Sequence, residues 1–233
     1  MIPIVLTGTI IPNTIKVVHC DWKKRRSEYL EAIRYYKKFS KVYFIENSCY
    51  DLLHDGDFSS DDKFQCFQFE ACKEFERGKG YQEFQMIDDF VGCKLNYDSF
   101  VKVTGRYIYK NFGDLYSFLI RSKCKYDLII DAFIRRKVAS TKLFYVRKDM
   151  YLQHFQNRYL EMDDSEGIYA EHIIYRILKD ICSYTFFTKI PILDAISGTS
   201  GLRMVTDSNH RKEKLKNIER SLLTVMGIRR LLV

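Results

Sequence analysis

Phe100-Val-Lys-Val-Thr-Gly-Arg-Tyr107 reads as a buried strand that stops at Thr104-Gly105-Arg106. In open α/β sheets, ligands sit beyond the carboxyl ends of the strands. A glycine at such an end lets backbone approach a ligand closely. An arginine there presents a rigid fork of donors that matches phosphate. The alternative role for Arg106 is structural, as the partner of a carboxylate.

The segments on either side extend this into an α/β pattern. Residues 2–6 form a short apolar strand that runs into Thr7-Gly8-Thr9. Residues 22–38 place Trp22, Tyr29, Ala32, Ile33 and Tyr36 at helical spacing among lysines and arginines. A second strand, 41–45, stops at Glu46-Asn47-Ser48. Strand, helix and strand together imply a right-handed parallel crossover. Further strands are expected at 64–70, 128–130 and 143–146, and helices at 81–91, 114–121, 149–158 and 169–182. This alternation predicts an α/β sandwich, a mainly parallel sheet flanked by helices. A basic amphipathic helix at 211–226, with Leu215, Ile218, Leu222 and Val225 on its apolar side, follows the last loop. We therefore expect one domain over 1–210 and a C-terminal extension over 211–233.

Composition narrows the function. The 233 residues carry a net charge of +8, three prolines and eleven glycines. The basic balance suits either solubility or an anionic partner such as a nucleotide diphosphate or acidic lipid. Lysine and arginine cluster at 23–26, 135–137 and 211–220, without a DNA- or RNA-binding signature beside them. Nucleic acid is therefore not the expected partner. Seven cysteines lie scattered, with no CxxC pair and no zinc spacing. They read as buried thiols in a reducing compartment. No apolar run reaches membrane-span length, and the first residues read as a strand, without the basic region and cleavage site expected of a signal peptide. The expected location is cytoplasmic, with contact to the inner face of a membrane through the C-terminal helix if the acceptor is lipid-linked.

Several short stretches carry candidate chemistry, each with a plainer alternative. Thr7, Gly8 and Thr9 suit contact with a base or phosphate, or form an ordinary turn. Glu46 and Asn47 suit a ribose or base, although Asn47 or Ser48 also makes a good helix N-cap. Arg77-Gly-Lys-Gly80 leads into a helix, so Lys79 and the backbone amides favour an anion. It is neither a Walker A loop nor a Rossmann fingerprint. Glu83, one turn in, suits the helix dipole. Asp88-Asp89 reads as a solvated helix face. Asp131 ends a short strand, either as a loop cap or as an oxygen ligand for a divalent ion. Glu171, then Glu166, is the candidate general base, with His172 a weaker one. Ser197, Gly198, Thr199 and Ser200 form a small-residue loop able to close over phosphates.

As a set, several segments resemble small bacterial glycosyltransferases of capsule and lipopolysaccharide (O-antigen) synthesis. They are Leu6-Thr-Gly-Thr-Ile10, Arg26 to Tyr29-Leu30, Phe44-Ile-Glu-Asn-Ser48 with Tyr50-Asp51, Gly78-Lys-Gly80 with Glu83, Phe100–Tyr107 and Ser197–Gly201. The resemblance implies a GT-A-like fold and a nucleotide-sugar donor. In GT-A enzymes the strand at 100–104 usually ends in an Asp-x-Asp motif that holds a divalent metal on the diphosphate. Here Thr104-Gly105-Arg106 stands in its place, so a metal cofactor is disfavoured, and Arg106 with Lys79 or Lys102 would neutralise the diphosphate.

The expected function is transfer of a hexose from a UDP-sugar to a lipid-carried surface glycan. Thr7, Thr9, Glu46 and Asn47 would line the nucleoside, Lys79, Arg106 and the 197–201 loop the diphosphate, and Glu171 would take the acceptor proton. The competing readings are a nucleotidyltransferase on a similar scaffold and a basic module that binds nucleic acid or lipid.

Overall fold

The computed structural model describes residues 1–13, 17–53, 59, 61–133, 136–181, 183–198, 200–205, 215, 218 and 222. Its centre is a seven-stranded sheet. Strands β1 (Ile4–Gly8), β2 (Val42–Glu46), β3 (Phe64–Gln68), β4 (Ser99–Thr104), β6 (Leu128–Phe133), β7 (Val138–Arg147) and β8 (Tyr184–Thr185) are ordered β3-β2-β1-β4-β7-β6-β8. β7 runs antiparallel to both neighbours, and every other adjacent pair is parallel. β1 and β2 are buried along their whole length, as strands covered on both faces must be.

Period-two alternation sorts the two cores. Ile4 and Leu6 pack with α1 (Trp22–Tyr36) and α3 (Phe112–Ser122) on one face. Val5 and Phe100 face the opposite way, toward α2 (Lys79–Cys93), α4 (Lys148–His154) and α5 (Ala170–Ile177). Asp21 caps α1, accepting from the N–H groups of Lys23 and Lys24. A small antiparallel sheet, β10-β9-β5, joins β5 (Ile108–Tyr109), β9 (Leu193–Ile196) and β10 (Arg203–Val205).

The expected mainly parallel α/β architecture is present, with differences at the short elements. β5, β8, β9 and β10 have two to four residues each, too few to show a period. α5 stops at Ile177 and tightens into a 3₁₀ turn, short of the expected 182. Cys20, Cys49, Cys93 and Cys124 are exposed, contrary to the expectation of buried thiols. Leu215, Ile218 and Leu222 are helical and more than half exposed, whereas Val225 lies outside the described residues. Among the described residues, no helix is long and apolar enough to cross a membrane.

Asp88 also departs from expectation, since only Asp89 faces solvent. The Tyr151 hydroxyl donates to Asp88 Oδ1 at 2.6 Å and the Asn157 N–H to Oδ2 at 2.6 Å. Burial nevertheless outweighs these bonds and pushes the carboxyl up to about 6. An acid whose pKa rises on folding contributes stability at low pH and loses it as pH climbs through the folded value. Asp88→Asn removes this dependence. The difference in Tm between variant and wild type shifts in the variant's favour from pH 4 to pH 7; a difference constant across that range refutes the assignment.

Candidate active site

A cleft of 410 Å³ opens at the carboxyl ends of β1 and β4. Its floor follows from the alternation in β4. Phe100, Lys102 and Thr104 share a face, and Lys102 falls where an apolar side chain would be expected. The side chain is wholly buried. Its Nζ lies 2.8 Å from Glu83 Oε1 and donates to the Thr141 carbonyl at 2.6 Å and to Thr104 Oγ1 at 3.1 Å. The Thr7 hydroxyl donates to the same Glu83 oxygen. The ammonium thus ties β4, β7 and α2 together beneath the cleft, and Glu83 brings in β1. Burial lowers the Lys102 pKa, and Glu83 works against that shift.

The β1–α1 loop makes one wall. Thr9 donates its hydroxyl to Asn47 Oδ1 at 2.6 Å and, through its N–H, bonds the Tyr29 hydroxyl at 2.9 Å. Arg25, 5 % exposed, donates to the carbonyls of Thr9, Ile10 and His19. It therefore carries its charge to the cleft while fastening the loop.

Two helix starts meet on the opposite wall. A Cβ on Gly80 would lie 3.0 Å from that of Ala170, so glycine lets the first turns of α2 and α5 touch. Gly78 takes φ +94°, and the Asp164 carboxylate occupies the space a side chain would need. Asp164 Oδ2 accepts from the Lys79 N–H at 3.0 Å, capping α2 from a distant loop. The Lys79 side chain lines the cleft. Burial depresses its pKa, and Asp164, Glu83 and Glu171 oppose the shift. Glu171, in the first turn of α5, also lines the cleft, and its Oε1 lies 3.5 Å from Thr141 Oγ1. Lys142 and Tyr169 complete this side.

Arg106 enters from the end of β4. Its Nη1 donates to Glu28 Oε2 at 2.7 Å, and Glu28 also meets His19 Nε2 at 3.1 Å. Above it folds the tip of the β9–β10 hairpin. A Cβ on Gly198 would lie 3.0 Å from Arg106 Nη2, and the Gly198 carbonyl accepts from the Val18 N–H at 3.1 Å. Ser197 and Gly198 line the cleft, whereas Ser200 is exposed and bonds within the tip. Thr199 lies outside the described residues.

Of the expected site residues, the cleft gathers Thr7, Gly8, Thr9, Lys79, Thr104, Arg106, Glu171, Ser197 and Gly198. Others stand elsewhere. Lys102 lies beneath the floor. Gly105 is buried against β1, where a Cβ would come within 2.5 Å of the Thr7 carbonyl oxygen, so its smallness serves strand packing. Glu46 is fully buried, and its carboxylate accepts from the N–H groups of Ile10, Ser48 and Tyr50 and the Ser48 hydroxyl. Burial raises its pKa despite these bonds. Glu46 organises two loops and presents nothing to the cleft. Asn47 lines an adjoining cavity. Asp131 is buried and accepts from the Phe187 N–H at 3.3 Å, tying β6 to the chain after β8. His172 is exposed and Glu166 is exposed, both off the cleft.

Arg25, Lys142, Asp164 and Tyr169 went unnoticed in the sequence. Arg25 sits in the 23–26 basic run like any solvated lysine, and Asp164 acts across 85 residues. Among the described residues, no group of three or more His, Cys, Asp or Glu side chains is placed to hold a metal ion. At the end of β4, Thr104, Gly105 and Arg106 offer a hydroxyl and a cation and no carboxylate, a donor set that does not suit a divalent ion.

No protein-family model and no curated protein sequence matches the chain. Solved structures do. The galactosyltransferase LgtC, in complex with donor and acceptor sugar analogs, superposes with a TM-score of 0.53 at 5% identity, over 79% of this chain and 73% of its own. The fold is GT-A-like. HddC from Yersinia pseudotuberculosis superposes with a TM-score of 0.49 at 13% identity, over 93% of this chain and 99% of its own. A 4-diphosphocytidyl-2C-methyl-D-erythritol synthase from Anaerococcus prevotii gives 0.49 at 11% identity, over 94% and 95% of the two chains.

Glu83→Gln leaves the Lys102 ammonium buried without its counter-charge. Breaking such a pair costs about 3 kcal/mol. Urea denaturation measures this, and adding Lys102→Met to Glu83→Gln recovers part of the loss. A Glu83→Gln protein as stable as wild type disproves the role assigned to the pair.

Proposed function

We propose that the chain is a glycosyltransferase that moves a hexose from a UDP-sugar to a growing surface polysaccharide or lipopolysaccharide acceptor. One observation carries this reading. The side chains of Arg25, Lys79, Lys142 and Arg106 line one cleft at the carboxyl ends of β1 and β4, with the Glu171 carboxylate in the same hollow. Fixed cations suit a diphosphate, and a carboxylate beside them suits a hydroxyl to be deprotonated.

In this mechanism Glu171 accepts the proton of the acceptor hydroxyl. The acceptor oxygen forms a bond to the anomeric carbon as the bond from that carbon to the β-phosphate oxygen breaks. The leaving UDP takes the electron pair. Its growing charge falls among Lys79, Lys142 and Arg106, whose geometry is set before reaction. Arg106 spends one donor on Glu28, which leaves the rest of its fork for a phosphate. Thr7, Gly8, Thr9 and Thr104 border the nucleotide, and the Ser197–Gly198 tip closes over it. The chain works at the cytoplasmic face of the inner membrane as a catalytic domain over 1–210 and a basic extension over 211–233. The exposed Leu215, Ile218 and Leu222 support lipid contact through that extension.

A thermal-shift series with UDP-, GDP- and CTP-derived sugars tests the donor class, because a ligand that binds the folded state raises Tm. The expected result is stabilisation by UDP-sugars that persists in chelator. Release of pyrophosphate during turnover would instead show nucleotidyl transfer. Glu171→Gln keeps donor binding and loses transfer by roughly 100-fold or more. Arg106→Ala loses a similar factor and about 2 kcal/mol of stability, the contribution of a hydrogen bond between charged groups, with its Glu28 contact. Unchanged turnover in either variant removes that residue from the mechanism.

A further inference from the structure

Gln82, on the cleft side of α2, is 4 % exposed, and its Nε2 has no hydrogen-bond partner. Among the described residues, the one other buried side-chain atom in that state is Arg77 Nε, and the rest of that guanidinium bonds Glu74 and the Leu160 carbonyl. A buried donor left unmade is costly, so a native fold that keeps one calls for an explanation.

Its position supplies one. Gln82 and Met86 line both the cationic cleft and a second cavity of 460 Å³. That second cavity opens beyond the carboxyl ends of β2 and β3, between Asn47 and Phe69. Its charge is opposite to its neighbour's. Glu70, Glu74 and Asp89 line it, with Lys73 as its one cation. Such a surface repels phosphate and suits an uncharged ring with hydrogen-bond donors. Phe69 and Met86 add apolar area for a flat face.

We infer that Gln82 is a specificity-determining residue that pairs in plane with the base of a uridine nucleotide, whose diphosphate lies in the cationic cleft. The inference rests on the nucleotide-sugar reading above. A carboxamide offers one donor and one acceptor side by side. Uracil presents the complement, with an imide N–H beside a carbonyl. The amide bonds the base when the nucleotide enters, which satisfies the donor that the fold itself leaves without a partner.

The test compares wild type with Gln82→Leu, which keeps the size and removes the amide. Isothermal titration uses UDP and inorganic pyrophosphate as separate probes. The expected result is UDP binding weakened about tenfold, the effect of one lost base contact, with pyrophosphate binding unchanged and Tm equal to or above wild type. Gln82→Glu, which replaces the donor with an acceptor, weakens UDP in the same way and guards against a packing defect in the leucine variant. UDP binding equal to wild type in both variants overturns the inference, as does an equal loss of UDP and pyrophosphate. Wild-type protein that binds neither probe overturns the nucleotide reading itself.

Discussion

Lys102 is the constraint on which the cleft depends. A wholly buried ammonium requires a counter-charge and acceptors, and it draws them from three elements. Glu83 comes from α2, Thr104 from its own strand and the Thr141 carbonyl from β7, while Thr7 of β1 shares the Glu83 oxygen. Apolar contacts are non-directional and constrain these strand ends through shape alone. A polar network in a low dielectric admits far fewer arrangements. The floor of the cleft is thereby set before any ligand arrives.

Above that floor the walls are assembled from segments distant in sequence. Asp164 reaches back to the start of α2 and fills the space that Gly78 leaves. Gly80 lets α5 approach, which carries Glu171 to the cleft. The β9–β10 hairpin lays Gly198 against Arg106. Each of these contacts depends on a missing side chain, so small residues act here as spacing elements for charged ones. The charges then divide between two adjoining hollows, cationic over β1 and β4 and acidic beyond β2 and β3, with α2 as the partition.

Much of the fold was legible because its main strands are continuous apolar runs and its helices are amphipathic. Ile4–Leu6 and Val42–Ile45 announce themselves in this way. The reversed direction of β7 was not legible, since a strand's sequence records burial and not orientation. The short strands β5 and β8 were invisible for lack of a period. In the cleft, residues at strand ends and helix starts were the ones found: Thr7, Thr9, Lys79, Arg106 and Glu171. Glu46 also follows from a strand end, yet it turned inward because the loops beside it offered three N–H groups. Position on an element could not distinguish those two fates.

The amino-acid sequence alone determined the alternation of strands and helices, the mainly parallel sheet and the edge along which a ligand site would form. Those follow from periodicity and from turn residues, which act over a few positions. Tertiary structure decided which polar side chains face the cleft and which are consumed below it. Lys102, Gly105 and Glu46 went to structural duty, and Arg25, Lys142 and Asp164 came to the cleft. Decisive partners lie far along the chain, 39 residues away for Lys102 and 85 for Asp164, and pairing over such distances is set by how the sheet and helices pack, not by any local pattern.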